Sequence, residues 1–573
     1  MCGFFFIKSK NPINYKKINS NLTNIIKRGP DSFNQIKLDD CFFSHARLSI
    51  IDLQDLSNQP FVCSEKRYYL GYNGEIYNFK EIKNKLIRKG LKFFTDSDTE
   101  VLLNGYIFYG SKILNLLRGM FSFVIYDSKE KSFFAARDPY GIKPLYYYID
   151  KNNIVFSSSF KSIVLTGYSK KIINHLGNEY FNIFGTFDEN ELPFSDIKSL
   201  KGGEHIKVNM YNDIKIKKNF SSVDYFQKEQ FYEKNIDNLQ EFLNFSLEES
   251  IKSHLCSDVP VGVLTSGGAD SNAILRCLSK LNYNPLCITI DFNLSDSKIR
   301  NEIKNTNKIA QKLGFKISKK VISEKDIALS FPNFINDMDI PSIDAYNTWF
   351  ASEACKASNL KVVLSGIGGD ELFMGYKTFK IIPKIMFINN FFGNNIFLKL
   401  FYKFMSNIFN NNKISYLNYS KCIAYIWTII RSDIDFFNNL RNQNTQRIEK
   451  VLDIFFKEFE DITIHNKMKI SLFENEFYLK NQLLRDTDWA SMSHGVEVRT
   501  PFVDFKLIKT LSPYILQLGK SNKNFLKKFL FRKDLDQFYQ KTKTGFGFPK
   551  KNLYNNHYNY KDFIYSEWLK SLN

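Results

Sequence analysis

From the N-terminus to about residue 208, apolar positions fall in short runs rich in β-branched and aromatic residues, as at 121–126, 132–136 and 145–149. Turn residues such as Asp138-Pro139-Tyr140-Gly141 and Lys151-Asn152-Asn153 separate the runs. This pattern predicts a mainly antiparallel β domain with a few helices. A polar stretch follows, dividing the chain into a first domain at 1–210, a linker at 211–235 and a second domain at 236–573. In the second domain the stretches 261–264, 286–290 and 361–364 are apolar throughout, with helical spacing such as 302–313 between them. A β-α-β-α order of fully apolar strands calls for a parallel sheet covered on both faces. Residues 376–475 are rich in Phe and Asn at helical spacing, which predicts packed helices inserted into that domain.

Composition narrows the class. The 573 residues, 44% of them hydrophobic, suffice for two to four globular domains. The formal charge of +20 is spread along the chain without a basic arm, so no nucleic-acid partner is expected. Eight cysteines without a C-x-x-C pair exclude a zinc or redox motif of that kind and fit a reducing cytoplasm. The apolar run 4–7 is too short for a signal peptide. The most apolar later stretch, 385–409, is broken by Asn389, Asn390, Asn394, Asn395 and two lysines, poor material for a span of about 20 apolar residues. A soluble protein with no membrane partner is the expectation.

Chemistry enters at Cys2. If Met1 is removed, the thiol stands beside its own α-amine, which titrates near 8 and can serve as its base at neutral pH. Hydrolysis of an amide through a covalent intermediate also needs donors for the oxyanion, and Asn73-Gly74 offers a side-chain amide beside a backbone N–H. Glutamine carries an α-carboxylate and an α-ammonium, which Arg47 and Asp98 can hold. Each has a plainer role as well: Asn73-Gly74 reads as a hairpin turn, and Asp98 as a helix N-cap.

In this order the residues resemble the class II glutamine amidotransferase domain. The likeness runs through Arg28-Gly29-Pro30-Asp31, residues 72–78, residues 119–123 and residues 137–146. It implies that Cys2 attacks the glutamine amide, that Asn73 and Gly74 stabilise the oxyanion, and that Arg47, Leu48, Ser49, Ile50, Ile51, Glu75 and Asp98 line the amino-acid end. It further implies an α+β first domain, an α/β/β/α sandwich of the N-terminal nucleophile type.

The loop Ser266-Gly267-Gly268-Ala269-Asp270-Ser271 follows an apolar strand and precedes a helical run. Glycines let backbone N–H groups approach an anion, and the helix start adds a favourable dipole. The Walker A spacing and its lysine are missing, which argues against γ-phosphate transfer. A second loop, Ser365-Gly366-Ile367-Gly368-Gly369-Asp370-Glu371, also follows a strand, and Asp270 and Asp370 offer hard ligands for Mg²⁺. With residues 485–492, residues 495–504 and Lys543-Thr544-Gly545-Phe546, the chain resembles the glutamine-hydrolysing asparagine synthetases.

That resemblance implies an α/β second domain of the ATP pyrophosphatase type. It places ATP against Leu264, Ser266, Gly267, Gly268, Asp270, Ser271, Ile290, Ser365 and Gly366, with Lys543 as a catalytic cation. Ammonia from glutamine would attack an acyl-adenylate of aspartate, giving asparagine, AMP and pyrophosphate. A homodimer is one assembly such a chain could form. The family usually carries Glu where this chain has Ile367, a residue unable to handle a proton. Another carboxylate, such as a sugar uronate of surface polysaccharide, therefore stands beside aspartate as acceptor, and the +20 charge motivates a distant alternative from a different class, a basic RNA-binding protein with a degenerate nucleotide fold. Glu371 and Glu497 are the two carboxyls that could replace the missing group.

Overall fold

A computed structural model describes residues 2–221, 239–292, 297–393, 395–417, 422–432, 453–460, 462–514 and 559–572, with a few isolated positions between them. The first domain is built on two six-stranded antiparallel sheets. One is formed by β1 (Cys2–Ser9), β2 (Ser32–Lys37), β3 (Cys41–Arg47), β8 (Tyr146–Ile149), β9 (Asn153–Ser157) and β10 (Lys198–Ser199), in the order β10-β8-β9-β1-β3-β2. The other contains β4 (Phe61–Val62), β5 (Tyr68–Ile76), β6 (Gly119–Asp127), β7 (Ser132–Arg137), β11 (Glu204–Val208) and β12 (Ile214–Lys218), in the order β12-β11-β7-β6-β5-β4.

The alternation of side chains along β1 explains the layering. Phe4 and Phe6 point to one face and join Phe43, Tyr69, Val124 and Phe133 between the sheets, while Phe5 and Ile7 point to the other and pack on the helices carrying Ile18, Ile25 and Ile163. Both faces of the sheet are thus buried, which is why β1 reads as a continuous apolar run. The sheets approach closely where Gly71 of β5 faces the ring of Phe6; a Cβ there would strike the ring. Helices Phe79–Ile87 and Asp98–Tyr109 cover the far side of the second sheet, completing the α/β/β/α sandwich.

One boundary moves. Ile214–Lys218, inside the stretch expected as linker, is the edge strand of the second sheet and pairs with β11. All five of its residues are exposed, and its alternating Ile and Lys are what an edge strand carries against unwanted pairing. The same polarity made it look like a connector.

The second domain holds a five-stranded sheet of β13 (Val261–Leu264), β14 (Leu286–Asp291), β15 (Lys316–Val321), β16 (Val362–Leu364) and β17 (Glu497–Arg499), in the order β15-β14-β13-β16-β17. Every pairing is parallel. The strand order reverses between β13 and β16, and ligands of open parallel sheets bind beyond the strand ends at such a reversal. Described residues of 376–475 are mainly helical, as the spacing predicts, followed by a π-helical stretch Glu474–Leu484. Among the described residues no helix is long and apolar enough to cross a membrane, and all eight cysteines are free thiols.

Candidate functional site

Cys2 lies where the apolar filling of the sandwich ends. It shares a face of β1 with Phe4 and Phe6, and the register of β1 on β3 sets Arg47 opposite it. Asn73 and Glu75 share a face of β5 with Gly71, so they look into the same mouth from the second sheet. The backbone N–H of Cys2 donates to Asn73 Oδ1 at 3.1 Å, while the Asn73 Nδ2 group is buried without a hydrogen-bond partner among the described residues. A buried amide donor left open is costly unless something binds there. Gly74 sits at φ +155°, and a Cβ there would run into the Met120 carbonyl and the Phe121 backbone of β6, so the position suits glycine. The pair lies within strand β5, not at a hairpin turn.

Burial pushes the Cys2 thiol upward, opposed by the backbone N–H of Leu48 and the charge of Arg47. A thiol kept protonated at rest needs a base at the moment of attack. Arg47 spends its guanidinium on the following loop. Nη1 donates to the Gln54 carbonyl at 2.9 Å and to Asn58 Oδ1 at 3.0 Å, and Nη2 to the carbonyls of Ile51 and Asp52. It braces residues 48–58 around Cys2.

Asp98 is buried in the first turn of its helix, whose N-cap is Ser97. Asp98 instead accepts from the Tyr72 hydroxyl at 2.8 Å and the Ile76 N–H at 3.0 Å, and burial raises its pKa. Glu75 is raised well above the usual carboxyl range by burial and by Glu497.

In the second domain Gly267 (φ +82°) turns the chain after β13, and Gly268 caps the Ala269–Lys280 helix, leaving Asp270 in its first turn. The second loop closes against it: Cβ atoms at Gly366 or Gly369 would run into Asp270. Asp270 and Asp370 thereby come onto abutting helix starts, with Leu264 and Ile290 at the ends of neighbouring strands and Ser365 donating its N–H to the Arg499 carbonyl at 2.8 Å. Ser271 Oγ donates to the Gly268 carbonyl at 3.1 Å. Among the described residues no group of three or more His, Cys, Asp or Glu is placed to hold a metal.

Two acids differ sharply in setting. Glu497 is pushed up by burial, but Arg499 and Lys143 outweigh that and hold it below the usual range. Glu371, buried and beside Asp370, is raised to about 7, and the Tyr376 hydroxyl donates to its Oε1 at 2.6 Å. Ile367 packs partly buried against the apolar core. Lys543 lies outside the described residues.

The two centres are bridged by residues to which the sequence motifs alone assign no role. Arg28 Nε donates to the Cys2 carbonyl at 3.1 Å and its Nη2 lies 2.8 Å from Asp488 of the second domain. Lys143 reaches the same carboxylate at 3.2 Å. Arg499, fully buried on β17, pairs with Glu497 and stands 3.7 Å from Glu75. Glu75 is two residues from Asn73, and the Arg499 carbonyl accepts from the Ser365 N–H, so the thiol side and the glycine-rich loops of the second domain are joined through β17. Charges that far from water persist only when paired.

Residues 1–220 match the glutamine amidotransferase domain family and residues 243–563 the asparagine synthase family. Asparagine synthetase [glutamine-hydrolyzing] 1 of Bacillus subtilis is 28% identical, covering 100% of this chain and 90% of that protein. Asparagine synthetase [glutamine-hydrolyzing] 3 of the same organism is 25% identical over 95% of this chain and 85% of its own length. The amidase chry2 of Gibberella zeae is also 25% identical, over 94% and 85%. With its asparagine synthase match covering more than half its length, the chain belongs to the asparagine synthase family and carries a glutamine amidotransferase domain ahead of that module.

Proposed function

We propose that the chain converts aspartate to asparagine, with glutamine as nitrogen donor and ATP split to AMP and pyrophosphate. In this reading the Cys2 thiol attacks the glutamine amide, its proton passing to the α-amine exposed by loss of Met1. Asn73 Nδ2 and the Gly74 N–H receive the oxyanion. Arg47 and Asp98 hold the α-carboxylate and α-ammonium, a carboxylate at Arg47 taking over donors now spent on the 51–58 loop. The observation that supports the reading is the buried bridge Asn73–Glu75–Arg499–Ser365, which links the strand that carries Asn73 and Glu75 to the loop after β16. Ammonia formed beside this bridge would be sheltered from water and protonation.

On the nucleotide side, the 266–271 loop and the start of the Ala269–Lys280 helix suit the pyrophosphate, and Leu264, Ile290 and Gly366 flank the adenosine. Asp270 and Asp370 fit Mg²⁺, which takes one or two carboxylates and fills its remaining positions with water and phosphate oxygens. Bound there, the ion would neutralise charge on the pyrophosphate as it leaves. Lys543 is the cation assigned to the same step. Of the two acids that could replace the family's Glu at Ile367, Glu371 is the better base. It titrates near neutrality, whereas Glu497 is locked to Arg499.

Ile367 also favours a second reading, in which the acceptor is another carboxylate such as a sugar uronate. An apolar side chain beside the acceptor lowers the demand for a compact, doubly charged substrate. Supplying glutamine and ATP with a panel of carboxylates, and following AMP, glutamate and product mass, separates the two. Asparagine from aspartate at the rate of AMP release is expected; a uronate amidated while aspartate is inert would replace the first reading with the second.

A further inference from the structure

The stretch 385–409, too interrupted to span a membrane, contains the end of helix Thr378–Phe392 and the helix Ile396–Ile408. On the second helix Leu398, Tyr402 and Ser406 are buried against the protein, with Met405 partly buried beside them. At about 100° per residue the opposite arc carries Phe397, Leu400, Phe404 and Ile408, which are 75%, 57%, 62% and 57% exposed. The exposed Lys399 and Lys403 stand between that arc and the buried face. The preceding helix adds Phe387 and Phe391, 71% and 74% exposed, with their rings stacked. Lys380 and Lys384 lie one to two turns earlier and are likewise exposed. From Leu372 to Ser432 the sequence contains no Asp or Glu, against seven Lys and Arg431.

We propose that this helical pair is a docking surface for an anionic lipid bilayer, with the Phe and Leu side chains among the acyl chains and the flanking lysines at the headgroups. A helix with one broad apolar arc edged by lysine lies in the plane of a membrane surface, buried by about 5–10 Å, and needs no span. Charge decides between occupants. A second copy meeting this face would bring like-charged lysines together, whereas anionic headgroups attract them. Exposed apolar surface on this scale marks an interaction site. The inference does not depend on which carboxylate is amidated.

The test is flotation of the full-length protein with vesicles of phosphatidylglycerol and phosphatidylcholine, against phosphatidylcholine alone. Binding to the anionic vesicles, weakened by salt, is expected. Lys399→Gln with Lys403→Gln should reduce it about 25-fold, at about fivefold per lysine. Phe397→Ser with Phe404→Ser should abolish it. Both pairs should leave amide synthesis without vesicles unchanged, since none of these residues approaches the site. No flotation, or flotation indifferent to the four substitutions, overturns the proposal. So does a dimer that the Phe pair converts to monomer in the absence of lipid binding, because the face is then a subunit contact.

Discussion

The two halves of the chain hold their chemistry differently. In the first, Cys2, Arg47, Asn73, Gly74 and Glu75 lie within paired strands, so backbone register fixes every separation before any ligand arrives. In the second, Ser365 and Gly366 lie on a loop beyond the end of a parallel strand, and Asp270 and Asp370 in the first turns of the helices that follow, where the helix dipole favours an anion. A nucleophile that must meet one amide geometry gains from strand rigidity. A loop that must wrap a polyanion gains from open backbone. Between them lies a layer of buried ion pairs, rigid like the first half yet contributed by both.

The comparison breaks first at Cys2. Cys2→Ala should lower glutamine-dependent synthesis by about 10⁴-fold and leave ammonia-dependent synthesis within about twofold, measured side by side as AMP release. Loss of both would mean that the halves are not separable in chemistry. The bridging layer comes next. Arg499→Met strands Glu75 and Glu497 in a buried setting, and breaking such a pair costs about 3–5 kcal/mol. Denaturant unfolding should show this as a lower midpoint. The milder Glu75→Gln should fold normally but release more glutamate per AMP.

Asp270→Asn should reduce ATP-dependent amide formation by about 10²–10³-fold while basal glutamine hydrolysis stays within about threefold. The smallest expected effect is at Glu371. Glu371→Gln should slow synthesis about tenfold above pH 7 and converge with the wild-type rate near pH 6, because the wild-type carboxyl, titrating at about 7, is then mostly protonated. The same raised pKa means that the folded protein binds more protons than the unfolded chain between the ordinary carboxyl range and 7. Stability from this group therefore falls as pH rises through that window, and Glu371→Gln should flatten the fall in melting temperature.

Legibility in the sequence follows the range of the interactions. Strands such as β1 and β13 are visible because local apolar runs and glycines encode them, and Cys2, Asn73-Gly74 and the two nucleotide loops stand out because each concentrates chemistry in a few neighbouring residues. What stays hidden is non-local. Arg28, Lys143 and Asp488 meet across separations of hundreds of residues, and no spacing rule brings them together. Arg47 reads as an open clamp, although its donors brace a loop four to eleven residues on. Asp98 reads as a cap because Ser97, the actual cap, is its neighbour. β12 reads as linker because an exposed edge and a linker share the same polarity.

The central claim is that the strand-borne site feeds the loop-borne site inside one interface. It is tested most directly by supplying glutamine labelled with ¹⁵N in the side-chain amide, in buffer containing unlabelled ammonium, with ATP and whichever carboxylate the panel identifies. Product amide carrying ¹⁵N, at one AMP per glutamate, is the predicted result. Product bearing the isotope of the buffer would contradict it, showing that ammonia leaves the first half before reaching the second.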